Sequence, residues 1–234
     1  MNPRDKFSVN LWATHLRLMD AGFILRSAER VLDVLSEGVR ECGMEMERAE
    51  ESGNEEFLDA VVDEGCDVIE HLLGAAFVVC QACIGRVVSR VMHAMEKAGK
   101  KAKEQGKTLL TPTTKSALMK FGCREVGKCG VSAVQAIDAF ANYFKHSSEW
   151  RTMDWTKITD KRQRPTIDAI TALGASSGST GNLRTAAEVL GNSTYGEMRI
   201  FLAIVDEWRA DVQKSLADDL VRVGVIDNGG ASGS

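Results

Sequence analysis

The residues best suited to chemistry lie in one stretch, Ile137–Trp155 (IDAFANYFKHSSEWRTMDW). It holds two of the four tryptophans, one of the two tyrosines and one of the four histidines. On a helix that continues through Ser147, Asn142, Lys145 and His146 stand at i, i+3 and i+4 and share one face. An amide, an ammonium and an imidazole presented together can bind a phosphate and move protons, because the imidazole titrates near neutrality. Tyr143, Trp150 and Arg151 flank this trio and are the candidates for substrate contact. Ile137, Phe140 and Phe144 form a neighbouring apolar stripe that would dock the helix into a core. A plainer role stands beside the chemical one. Lys145 and His146 would then complement the last carbonyls of the helix, Asn142 would bond a nearby loop, and Tyr143, Phe144 and Trp150 would be core.

The elements that must position this stretch read as helices throughout. From Ser8, the residues Leu11, Trp12, Leu16, Met19 and Phe23 recur at three- and four-residue steps, and the phase resumes after Gly22 with Ala28, Val31, Leu32, Leu35 and Val39. Ser52 followed by Glu55 matches a capping box, so a second helix is expected to start there and run to about Gly99. Its middle, Val68 to Val91, is apolar nearly all round and should be buried. These two long helices are expected to pair antiparallel. Thr111-Pro112 reads as the start of a shorter helix, TTKSALMKFGCREVG, and Val131 begins the helix that carries the opening stretch. Asn182 is placed as the cap of LRTAAEVL, with Gly191 ending it. The last long helix has a stripe of Met198, Phe201, Leu202, Val205, Trp208, Val212 and Leu216, which reads as core or a dimer face. No strand-like alternation is apparent. The expectation is an all-α helical bundle over residues 1–172, C-terminal helices over 182–226 packing on it, and a disordered tail over 227–234.

Composition narrows the classes. Apolar residues at 44% and charged residues at 26% are those of an ordinary globular chain. No apolar run is expected to reach the ~20 residues of a membrane span, and MNPRDKFSVNLW has no signal-peptide pattern. A cytoplasmic protein without membrane association is expected. Cys80 and Cys83 form a CxxC, but inside the apolar helical run GAAFVVCQACIGRVV rather than on a turn. They read as buried helical thiols, not a zinc pair. His15, His71 and His93 lack metal spacing, and Gly174–Gly181 lacks the GK[ST] ending of a phosphate-binding loop. No metal or cofactor is expected. The net charge of −4 conceals an asymmetry: thirteen acidic residues between Glu37 and Glu70 face only Arg40 and Arg48, whereas Lys97–Lys107 carries five lysines against one glutamate. Lys161–Arg164 adds a second basic cluster.

Ala141–His146 (ANYFKH) resembles the signature of the HEPN superfamily, in which a bundle helix carries an arginine, a polar residue and then a histidine, often as RNxxxH. Asn142 and His146 match the polar residue and the histidine; the family arginine falls at position 141, where this chain has alanine. Lys145 and Arg151 are the nearby cations. The resemblance covers this helix and, loosely, the long-helix pair before it. It implies metal-independent RNA cleavage in which the ribose 2′-hydroxyl attacks the adjacent phosphorus. His146 would be general base or acid, Lys145 would offset phosphate charge, and Asn142 would orient the imidazole or a phosphate oxygen. It also implies a homodimer. The alternative is a non-catalytic helical module that binds a protein or nucleic-acid partner through the same face.

Overall fold

The computed structural model describes residues 22–225. The part of the expected first helix before Gly22, with Leu11, Trp12, His15, Leu16 and Met19, and the tail over 227–234 lie outside the described residues. What is described is all-α: eight helices and one two-stranded hairpin of two residues a side. The architecture follows from two long amphipathic helices, α1 (Gly22–Glu51) and α2 (Glu55–Glu104), which pack as an antiparallel pair. The turn between them is made by Gly53 at φ +67°, and α2 is capped by Asn54, whose side chain accepts from the Phe57 amide at 3.1 Å. The cap is therefore two residues later than Ser52, whose hydroxyl instead donates back to the Ala49 carbonyl at 2.6 Å. Both residues can cap; the positive φ at Gly53 decides between them.

α2 is longer than its apolar pattern alone predicts: it runs through Gly99, because the surrounding lysines and alanines are good helix formers, and stops short of Gly106 at φ +64°. It is the central helix. Its buried residues include Leu73, Phe77, Cys80, Ile84, Val87 and Val91, while Val68 and Met92 remain 38% exposed, so burial is broad but not all round. An 18-residue window of α2 has a mean hydropathy of 1.8 and meets the length and composition of a membrane span, contrary to the expectation from the sequence. Half of that window is buried against the rest of the protein.

The segment read as one helix after Thr111 is split. Thr111 is buried, its amide donating to the Asp219 carboxylate at 2.7 Å and its hydroxyl 3.0 Å from that of Ser215. The cap is Thr114, and α3 covers only Lys115–Lys120. Gly122 at φ +63° ends the helical run, and the chain folds into a hairpin, β1 (Glu125–Val126) with β2 (Val131–Ser132), in the register Glu125↔Ser132. Strands this short leave no alternation to read.

The helix α4 (Ala133–Lys145) starts at a full capping box between Ser132 and Gln135. A one-turn helix α5 (Ser147–Trp150), a 3₁₀ turn at Trp155–Lys157 and α6 (Arg164–Ala172) follow. Next come α7 (Asn182–Leu190), which ends on Gly191 at φ +99°, and α8 (Arg199–Arg222). The stripe from Met198 to Leu216 on α8 is buried and is core. Asn182 does not cap α7 but lies within it, 2% exposed. Its amide donates to the Tyr143 hydroxyl and to the carbonyls of Ser176 and Ser179, which ties down the Gly174–Gly181 loop. One continuous core runs through α1, α2, α4, α6, α7 and α8.

Candidate functional site at the end of α4

Packing fixes where α4 presents its polar residues. It lies antiparallel to α2, since Asp138 and Asn142 meet Gln81 whereas Phe144 meets Gly74 and His71. At Gly74 the approach is so close that a Cβ would stand 2.1 Å from Cδ2 of Phe144. The apolar stripe Ala133, Val134, Ile137, Phe140 and Ala141 is buried, with the Phe140 ring stacked on Phe77 of α2 at 6.0 Å.

Between the two helices lies a polar chain that sequence reasoning missed. Gln81 Nε2 donates to the Asp138 carboxylate at 3.0 Å, to the Asp138 carbonyl at 3.1 Å and to Asn142 Oδ1 at 2.9 Å. Lys145 Nζ donates to Gln81 Oε1 at 2.8 Å, and Lys115 Nζ pairs with the Asp138 carboxylate at 3.0 Å. The direction of this chain is fixed by its ends. Lysine can only donate, so Oε1 of Gln81 faces Lys145, and its NH2 must face the acceptors of Asp138 and Asn142. Asn142 therefore offers its oxygen inward and turns its own NH2 away from Gln81. One sequence signal could have located Gln81: it is the single amide or charged residue between Leu72 and Gly85.

His146 does not join this chain. It is the C-cap of α4, with φ −116° and ψ 14°, because the helix stops at Lys145 rather than running through Ser147. The restart as α5 lets Trp150 fold back, 2% exposed, with its ring 6.2 Å from that of Tyr143. The imidazole stacks on Trp150 at a centroid distance of 5.7 Å, with Nδ1 4.0 Å from the Glu149 carboxylate, and is 52% exposed. The trio expected on one face is thus two groups: Asn142 and Lys145 joined through Gln81, and His146 on Trp150.

The three flanking residues divide as well. Tyr143 is buried, its hydroxyl receiving the Asn182 amide at 3.0 Å and its ring edge-on to Trp155. Trp150 is buried and its carbonyl accepts from Trp155 Nε1 at 2.9 Å. Both rings are packing residues, out of reach of a substrate in this conformation. Arg151 is half-buried beside them; its Nε and Trp150 Nε1 are buried donors without a hydrogen-bond acceptor.

A second polar centre supports this end of the fold. Glu70 on α2 is 3% exposed and accepts from the amides of Leu183 and Arg184 at 3.0 and 2.9 Å, so it occupies the N-terminus of α7 as an anion would. Burial pushes its carboxyl above the ordinary value, against the lowering effect of those amides and of the Arg184 guanidinium. Cys80 and Cys83 are buried in α2, and desolvation pushes both thiols up. Among the described residues no group of three or more His, Cys, Asp or Glu is placed to hold a metal ion.

Comparison with known proteins finds no matching family model, no matching curated protein and no matching solved structure.

Proposed function

We propose that this chain is a non-catalytic helical module that binds RNA through the exposed end of α4. The observation that carries the reading is the fixed direction of the Gln81 chain. It presents the Lys145 ammonium and the Asn142 NH2 as donors, and a ligand for such a face must bring acceptors, as phosphate oxygens do. Arg151 adds a nearby cation, and the exposed His146 ring offers a stacking surface and a further donor when protonated. The resemblance of ANYFKH to the HEPN signature supplies the choice of RNA among phosphate-bearing partners.

Two facts favour binding over cleavage. Position 141, where the family arginine would stand, is a fully buried alanine in the core stripe of α4, so no cation can act from there. The histidine is also separated from the amide–ammonium pair that would hold the phosphate. One observation supports a ribonuclease as the second reading: the Glu149 carboxylate lies 4.0 Å from His146 Nδ1, as a group that orients a catalytic imidazole would.

The test is fluorescence anisotropy of labelled single-stranded RNA over a salt series. Lys145→Ala is expected to weaken binding evenly across sequences and to reduce the salt slope by about 1. No binding by the wild type at low salt overturns the module. Incubation of the same RNA without added metal separates the second reading. Cleavage that vanishes in His146→Ala and leaves 2′,3′-cyclic phosphate ends would replace binding by catalysis.

A further inference from the structure

The two long helices end in a tip that no other element among the described residues covers. From Glu50 to Glu64 no residue is buried, so the α1–α2 turn projects beyond the bundle. Three large apolar side chains are exposed on this arm: Met44 at 45%, Phe57 at 50% and Val62 at 36%. They are set among carboxylates. The sequence has seven acidic residues and no Lys or Arg from Glu55 to Glu70.

The helix macrodipole accounts for part of this charge. Glu55 and Glu56 lie in the first turn of α2, where carboxylates are favoured. It does not account for Asp59, Asp63 and Glu64, beyond that turn, and it opposes Glu47, Glu50 and Glu51 at the C-terminal end of α1. The tip therefore carries a self-repulsion that its own helices do not offset.

The complementary surface stands at the other end of α2. Lys97, Lys100, Lys101 and Lys103 lie in its last turns, against Glu96 and Glu104. Beside them opens a groove of about 520 Å³, lined by Lys103, Lys107, Leu109, Leu110 and Pro112 among others, with Leu110 57% exposed. Phe57 and Lys103 are separated by most of α2, about 70 Å at 1.5 Å per residue. One molecule cannot bring them together.

We infer that two copies of this chain dock antiparallel along their long helices, the acidic apolar tip of each seated in the lysine-lined groove of the other. Charge complementarity selects the second copy as occupant. Phe57 supplies an apolar anchor, and Leu110 with Pro112 supplies its seat. A two-fold axis makes the contact twice and closes the assembly, which removes both exposed patches at once. This interface is distinct from the exposed end of α4 and does not depend on the RNA-binding reading.

Complementary charge reversal tests the assembly by sedimentation equilibrium of the full chain. One variant carries Glu56→Lys with Asp59→Lys, the other Lys100→Glu with Lys103→Glu; all four side chains are exposed, and circular dichroism checks the fold of each. The wild type is expected to dimerise in about 50 mM salt and to weaken roughly tenfold or more in about 500 mM. Each variant alone is expected to be monomeric, and an equimolar mixture to regain the dimer, because both contacts become complementary again. A wild type that stays monomeric at about 200 μM in low salt overturns the inference. So does a dimer that survives both reversals, or a mixture that stays monomeric.

Discussion

Gly74 sets the distance between α2 and α4, and its replacement by alanine separates steric from helical effects. A Cβ there would meet Cδ2, Cε2 and Cγ of Phe144 at 2.1, 2.4 and 2.4 Å. Cγ is the ring atom nearest the backbone, so the clash cannot be relieved by a small movement of the ring tip. Either Phe144 leaves its rotamer or the end of α4 moves by more than an ångström. Overpacking of this kind costs about 1–3 kcal/mol, and the change from glycine to alanine in a helix interior returns about 1 kcal/mol. Gly85 is the internal control: it lies on the same helix, is exposed, and has no neighbour within 4 Å of a Cβ. Gly85→Ala should stabilise by up to about 1 kcal/mol. Urea unfolding should therefore place Gly74→Ala about 1–3 kcal/mol below Gly85→Ala. Lys145 follows Phe144 directly, so the same variant should also weaken RNA binding, whereas Gly85→Ala should not. Equal stability of the two variants at unchanged m would refute the close approach as the feature that seats α4. In a Phe144→Ala background the penalty of Gly74→Ala should largely vanish, as expected for residues in contact.

Further substitutions probe two buried carboxylates, Asp219 and Glu70. Asp219 is fully buried and accepts from the amides of Leu110 and Thr111, so Asp219→Ala leaves two backbone donors without a partner and should cost about 2–5 kcal/mol in urea unfolding. Asp219→Asn keeps one acceptor and should cost less; equal tolerance of both changes would show that these bonds do not hold the connector to α8. Glu70 has a carboxyl raised by burial, so the folded state binds its proton more tightly than the unfolded state. Its contribution is fully present below the unfolded-state value and is lost as pH rises through the folded-state value. The stability of Glu70→Gln relative to wild type should therefore improve as pH rises through and above the ordinary carboxylate range. A drift in the opposite direction would mean that the Leu183 and Arg184 amides, not desolvation, dominate at this site.

The parts of the fold legible in the sequence are those set by local periodicity. The stripe from Met198 to Leu216 and the apolar middle of α2 both specify a buried helix by spacing alone. Helix ends were less legible because two residues with the same local chemistry compete. Ser52 and Asn54 can each cap α2, as Thr111 and Thr114 can each cap α3. The winner is set by Gly53 in one case and by the distant Asp219 in the other. His146 shows how a one-residue error at an end changes a functional reading. Nothing at Ser147 marks a stop, yet α4 ends at Lys145 because burying Trp150 against Tyr143 requires the chain to turn there. There the imidazole stacks on Trp150 and takes no part in the Gln81 chain. Gln81 was unreadable as a partner because its acceptors stand 57 and 61 residues away, a separation that no local pattern encodes.

Gly74 and Gln81 are seven residues apart, two turns of α2, and so lie on nearly one line facing α4. They act in different ways. The glycine leaves the space that the Phe144 ring fills, so it sets the close approach at one point of α2. The glutamine acts through polar contacts: its four hydrogen bonds are satisfied only when Asp138, Asn142 and Lys145 stand where they do. A shift of one residue of α4 along α2 would leave the half-buried Gln81 amide without these partners. Steric fit thus sets how near α4 lies, and the polar chain sets which residues it turns outward. The same bonds that fix the register of α4 also fix the donors it presents to solvent. On this fold the donor face proposed to bind RNA is consequently a by-product of helix registration, and any change that loosens the register also erases the face.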